Sequence, residues 1–261
     1  MKRFITTIAV SLILVMGMVA PALAVPNIAA NALELFLGQA FWQTIPPGNS
    51  WYKANLTAGR SYCVYTWSPW ADPSVSALAL DMAVYQSDGV TAATDVYTSD
   101  IEPRVEGPGG NNGEQRRIIP SVNDSYRITV INNAAANHTV YVMVVETTLF
   151  APWFFVSPAA GYDGYIEIRN NTINTLTTVV TAFDPAGGVF GSATIDLPAN
   201  GNAVITATSL GVISSYGSVQ IAHNGGPGAI CANITTLSSI TGLSFDSPFT
   251  PRMVWGTSLG Y

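Results

Sequence analysis

The feature that most limits the fold is a two-residue rhythm. Along Leu78–Tyr85, Leu78, Leu80, Met82 and Val84 fall on one face of an extended strand, and Ala79, Asp81, Ala83 and Tyr85 on the other. Tyr126, Ile128 and Val130 alternate in the same way with Ser125, Arg127 and Thr129, and Ala193, Ile195 and Leu197 with Ser192, Thr194 and Asp196. Successive side chains of a strand point to opposite faces, so each run offers one apolar and one more polar face. The pattern predicts strands over 61–67, 78–85, 125–131 and 139–146. A second set is predicted over 165–169, 176–183, 189–197, 203–208, 218–223 and 229–235. Turn chemistry separates them at Pro46-Pro47-Gly48-Asn49, Ser87-Asp88-Gly89, Asn132-Asn133 and Asp184-Pro185-Ala186-Gly187-Gly188. Asn200-Gly201, between two alternating runs, predicts a hairpin. Short strands at roughly 8–12-residue spacing are the signature of a sandwich. The fold class predicted is all-β: two tandem antiparallel β-sandwiches after an N-terminal signal peptide.

That leader is residues 1–24. Lys2 and Arg3 precede an apolar stretch from Phe4 to Val19, and Pro21-Ala22-Leu23-Ala24 supplies a small-residue cleavage site. The apolar stretch is short for a bilayer span, and no later apolar run is long enough to be one. The mature chain is thus expected outside the cytoplasm: extracellular, at the cell surface or in a periplasm. Residues 25–40 form a lead-in that reads as a helix or an edge strand. Residues 41–148 form the first sandwich, 149–163 an aromatic and proline-rich joint, 164–244 an immunoglobulin-like sandwich, and 245–261 an extended tail. The joint is placed by Pro152, Pro158 and Gly161.

Composition removes several classes of function. Without Lys2 and Arg3 the chain keeps 8 basic and 16 acidic residues, so nucleic acid is excluded as a partner. Hydrophobic residues are 48% of the chain, far above the range of disordered proteins. Two cysteines, Cys63 and Cys231, are compatible with one disulfide stapling the two domains, or with two unrelated buried thiols.

Candidate chemistry is sparse. His138 and His223 fall in different domains, so they cannot share a metal, and both read as exposed residues flanking turns. Gly256-Thr257-Ser258-Leu259-Gly260 fits a nucleophile elbow, but the motif needs a following helix and downstream partners. Asp81 and Asp88 are a candidate calcium pair, since calcium takes carboxylate and carbonyl oxygens; the other reading is that Asp88 caps its turn. Residues 106–114 are a second calcium candidate. Asp72 with Asp81, or Asp163 with Glu167, could supply paired acids. Trp67 and Trp70 flank a short loop and are candidate binding residues. Phe150, Trp153, Phe154, Phe155 and Tyr162 could form a sugar platform, but alternation along 153–155 sends the rings to opposite sides. Interdomain packing is the reading adopted for them. No catalytic residue is assigned, and calcium is the one cofactor considered.

One resemblance is carried by motifs. Trp51-Tyr52 precedes Leu56-Thr57-Ala58-Gly59-Arg60-Ser61-Tyr62; Asp81-Met82-Ala83-Val84-Tyr85 leads to Asp88-Gly89; and Tyr126-Arg127-Ile128-Thr129-Val130 follows. Over residues 41–148 this resembles the bacterial pre-peptidase C-terminal (PPC) domain family. The resemblance implies a small β-sandwich that accompanies secreted proteins and has no catalytic residues of its own. The expected function is therefore a non-enzymatic, exported protein for binding an extracellular glycan or protein ligand, for adhesion or for assembly. Two alternatives stand beside it: a secreted hydrolase or carbohydrate-active accessory protein, and a subunit of an extracellular filament in which residues 25–40 act as a donated strand.

Overall fold

The structure is a computed structural model and describes residues 28–67, 80–93, 96–97 and 113–252. The leader, Trp70, Asp72, residues 106–112 and Ser258 lie outside the described residues. Among the described residues the first half holds nine strands: β1 Leu33–Glu34, β2 Phe41–Ile45, β3 Gly48–Leu56, β4 Tyr62–Trp67, β5 Leu80–Tyr85, β6 Val96–Tyr97, β7 Gly113–Ile118, β8 Asp124–Asn132 and β9 His138–Glu146. Nine more follow: β10 Leu149–Val156, β11 Tyr162–Asn170, β12 Leu176–Phe183, β13 Val189–Leu197, β14 Asn202–Thr206, β15 Ser215–His223, β16 Ile230–Ser238, β17 Ser244–Pro248 and β18 Thr250–Pro251. The described residues are all-β apart from three short 3-10 turns. No helix of the described residues is long and apolar enough to cross a membrane.

Each half buries one apolar core between two sheets. In the first, β1-β3-β8-β5 faces β2-β9-β4-β7-β6. The alternation read from sequence supplies the inward rows, with Met82 and Val84 from β5, Tyr126, Ile128 and Val130 from β8, and Val140, Val142 and Val144 from β9. The lead-in is an edge strand, not a helix. β1 runs parallel to β3, with Leu33 opposite Tyr52, and the Leu35 N–H donates to the Lys53 carbonyl at 2.8 Å. Leu35 is buried in the first core and Leu33 and Leu37 pack against it.

In the second half, β13-β12-β15-β10-β18 faces β14-β11-β16-β17. The stretch taken as a joint is β10, the first strand of this sandwich, paired with β15. Pro152 is accommodated because β10 lies near the sheet edge and its register shifts between Ala151 and Phe154. Asn200-Gly201 is not a hairpin. Asn200 does take the left-handed conformation that its turn needs, at φ 55°, but β13 and β14 belong to opposite sheets. The turn is an arch over the end of the sandwich. At the far end of the chain, β17 pairs with β16 in one sheet and β18 with β10 in the other. The crossing is made at Phe249, which is buried in the core.

Candidate functional site

The two sandwiches meet at a two-residue link, Thr147-Thr148, between β9 and β10. Both threonines are buried and are fastened to Ser61 at the start of β4. The Thr147 N–H donates to the Ser61 carbonyl at 2.8 Å and its hydroxyl to Ser61 Oγ at 2.9 Å, while Thr148 Oγ1 accepts the Ser61 N–H at 2.8 Å. A link this short and this bonded is part of the first sandwich as much as of the second.

Around it, side chains from both halves interlock. His223 ends β15 and is wholly buried at the joint. Its Nδ1 accepts the Gly225 N–H at 3.2 Å, so the proton sits on Nε2, which donates to the Thr147 carbonyl at 2.9 Å. Burial is the main cause holding its pKa down at about 4, with the Arg117 charge acting in the same direction. Arg117 of β7 is itself buried and donates from Nη1 to the Asn224 carbonyl at 3.1 Å. Gln220 of β15 donates to the Gly59 carbonyl at 2.7 Å. Arg60 lies 3.5 Å from the Glu146 carboxylate and 5.6 Å above the Phe150 ring. The Glu146 side chain is 2% exposed. Neither of its oxygens accepts a hydrogen bond of normal geometry. Burial raises its pKa, opposed by the charges of Arg60 and Arg252.

Beside this network lies a cavity of about 460 Å³. Leu37 and Val145 wall it from the first sandwich, and Leu149, Ile230 and Phe249 from the second. Glu146, His223, Cys231 and Arg252 also line it. Its volume is in the range of small-molecule sites, and its position between two domains is where such sites concentrate.

The residues singled out from sequence are dispersed. Cys63 and Cys231 are both free, the first buried in β4 and the second exposed on β16, so the stapling disulfide is absent. Asp81 is exposed and lies 3.4 Å from Arg116, and its Oδ1 accepts the Met82 N–H. Asp88 caps its own turn: the Thr91 hydroxyl and the Val90 and Thr91 N–H groups bond its carboxylate and lower its pKa. Both oxygens are thus used locally, and the calcium pair is not assembled. Among the described residues no group of three or more His, Cys, Asp or Glu could hold a metal. Asp163 accepts from Thr208, Glu167 lies on an exposed face of β11, and Glu114 pairs with Arg116 at 3.0 Å. Trp67 closes β4.

The aromatic set is also redistributed. Phe154 is fully buried in the second core, Trp153 is 41% exposed and meets Phe245 edge-on at 6.3 Å, and Phe155 meets Tyr162 at 5.6 Å. All of these partners lie in the second sandwich, so interdomain packing is wrong for four of the five rings. Phe150 alone faces the joint, under Arg60. The residues that do join the halves, His223, Arg117, Gln220 and Arg60, do not stand out as joint residues in the sequence. His223 stands before Asn224-Gly225-Gly226, a context that signals exposure. Its burial comes from the other sandwich, and no local pattern announces that.

No family model matches the chain. No curated protein matches it. Among solved structures it is similar to a beta-glucuronidase from glycoside hydrolase family 2, at 10% identity and TM-score 0.21 over 77% of this chain and 24% of that one. It is similar also to the full extracellular region of zebrafish Gpr126/Adgrg6, at 12% identity and TM-score 0.25 over 88% of this chain and 32% of that one. A glycoside hydrolase family 2 member from Bacteroides cellulosilyticus follows at 8% identity and TM-score 0.22, over 78% of this chain and 28% of that one. The chain spans about a quarter to a third of these structures, and neither activity nor partner is transferred from them.

Proposed function

We propose that this is a non-enzymatic, exported protein that binds an extracellular ligand, its two sandwiches fixed to each other so that the surfaces around the joint keep one geometry. The observation that carries this reading is how His223, Arg117, Gln220 and Arg60 are spent at the joint. His223 has both ring nitrogens committed, Arg117 and Gln220 grip backbone carbonyls of the opposite sandwich, and Arg60 is held between Glu146 and Phe150. A general base needs a free lone pair within reach of a nucleophile. These groups hold two domains together instead. The leader read at residues 1–24 is the support for export.

The first sandwich we take to be a PPC-like accessory module. Its Leu56–Tyr62 segment gives the motif a physical reason. Gly59 turns the chain at φ 71°, and the Tyr62 hydroxyl accepts the Thr57 N–H at 3.0 Å, closing the turn that the leucine, glycine and tyrosine define.

The test is a binding screen of the chain from residue 25 against glycans and cell-wall preparations, with glycosidase and peptidase turnover followed in the same samples. Saturable binding with ligand recovered intact is the expected result. Turnover that survives purification to homogeneity would overturn the reading in favour of a secreted hydrolase.

A further inference from the structure

We infer that the cavity at the joint is a binding site for an amphipathic carboxylate, a molecule with an apolar chain and one terminal acid group. The inference rests on the binding function proposed above and assigns it a site. Two observations carry it. The first is the wall. Leu37, Val145, Leu149, Ile230 and Phe249 present hydrocarbon from both sandwiches, which favours an apolar body. The second is charge. The whole chain has only 10 Lys and Arg against 16 Asp and Glu, yet Arg60, Arg117 and Arg252 all lie at the joint, where Glu146 is the one acid among the described residues that line the cavity.

These four groups are placed differently. Arg60 lies against Glu146, and Arg117 is turned into the protein onto the Asn224 carbonyl. Arg252 lines the cavity and is exposed to solvent; its charge acts on Glu146, but no carboxylate of the described residues lies within ion-pair distance of it. A guanidinium at the rim of an apolar cavity presents a planar fork that a carboxylate matches with two hydrogen bonds. An ammonium head group would meet an excess of like charge there. A neutral head would leave the guanidinium unmatched. The cavity therefore selects for an acid head with its chain directed inward, away from Arg252.

Cys231 gives a direct readout. It lines the cavity and is exposed, while Cys63, the other thiol of the chain, is buried. A ligand in the cavity covers the one accessible thiol. The experiment measures the rate of Cys231 alkylation by iodoacetamide, a neutral reagent, in the chain from residue 25. Decanoate, decanol and decylamine are compared as probes, and Arg252→Gln as the variant. At a decanoate concentration ten times its Kd the rate should fall by about tenfold. Decanol and decylamine should protect far less, and Arg252→Gln should lose the protection by decanoate, the rate with decanoate in each protein being divided by that protein's own unliganded rate. Equal protection by all three probes, or protection by decanoate retained in Arg252→Gln, would overturn the charge assignment. Absence of protection by decanoate would overturn the site. If that absence came with a positive glycan or cell-wall screen, the binding function would stand and only its location would fall.

Discussion

The two sandwiches differ in how they treat buried polar atoms. In the first, the hydroxyls of Ser50, Tyr52, Thr66 and Thr129 are buried without a hydrogen-bond partner among the described residues. Burial alone pushes the Tyr52 pKa upward. In the second, no described buried side-chain nitrogen or oxygen is left alone. Asn170 donates to the Asn174, Leu197 and Pro198 carbonyls, Thr178 to the Ile195 carbonyl and Ser238 to the Ala160 carbonyl. Each unmatched buried group costs on the order of 1–3 kcal/mol. The lesson is that two cores of similar apolar make-up need not be equally firm. On this ground the second sandwich should be the anchor and the first the looser partner.

The comparison can be broken most severely by damaging the anchor. Phe154 is fully buried in the second core, and Phe154→Ala should cost about 3–5 kcal/mol. Hydrogen exchange followed strand by strand should then accelerate in β11, β12 and β15 while β3 and β8 stay as they were. Equal acceleration in both halves would show one cooperative unit and erase the distinction.

Acid should act next most strongly, and at the seam between the halves. The His223 pKa is about 4 in the folded protein, below its ordinary 6.5, so the unfolded chain takes the proton more readily. The stability held by neutral His223 is complete above pH 6.5 and is lost as the pH falls towards 4, by roughly 3 kcal/mol. Glu146 works in the opposite sense, because its raised pKa makes the folded state the better proton acceptor at that site. Denaturation midpoints at pH 7 and pH 4.5 check the balance. His223→Gln should flatten the dependence, and an unchanged pH profile in that variant would remove His223 from the seam's energetics.

The smallest effect is the most pointed, because one substitution should change sign between the halves. Thr129 sits in β8 between Trp51 and Ala83 with its hydroxyl unmatched, and Thr129→Val should stabilise by about 1 kcal/mol. Thr178 is equally buried but donates to the Ile195 carbonyl at 3.1 Å, and Thr178→Val should destabilise by about 1 kcal/mol. Urea titrations of the two variants decide it. Shifts of the same sign would mean that polar matching does not separate the sandwiches.

What could be read beforehand follows from the range of the forces. Strands with one buried face, such as β5 and β12, announce themselves by alternation. β3 does not, because Ser50, Trp51 and Tyr52 are buried in succession and both faces are covered. β10 hides behind Pro152, whose place at a register shift cannot be known without its neighbours. At Asn200-Gly201 the local conformation was legible, while the sheet that the next strand joins was not, since that is decided by β11 on the far side of the core. The joint was the least legible of all. Thr147 and Ser61, or Arg117 and Asn224, meet across long stretches of chain, and nothing in either sequence neighbourhood marks the other as its partner.

The brevity of Thr147-Thr148 has a mechanical consequence. Most tandem modules are strung on a few free residues that stretch first when the chain is pulled. Here there is no slack to take up. Tension arriving along β9 passes at once into the bonds that tie Thr147 and Thr148 to Ser61 and His223. The pair should transmit load as a single stiff strut and yield by parting its seam, not by uncoiling a tether.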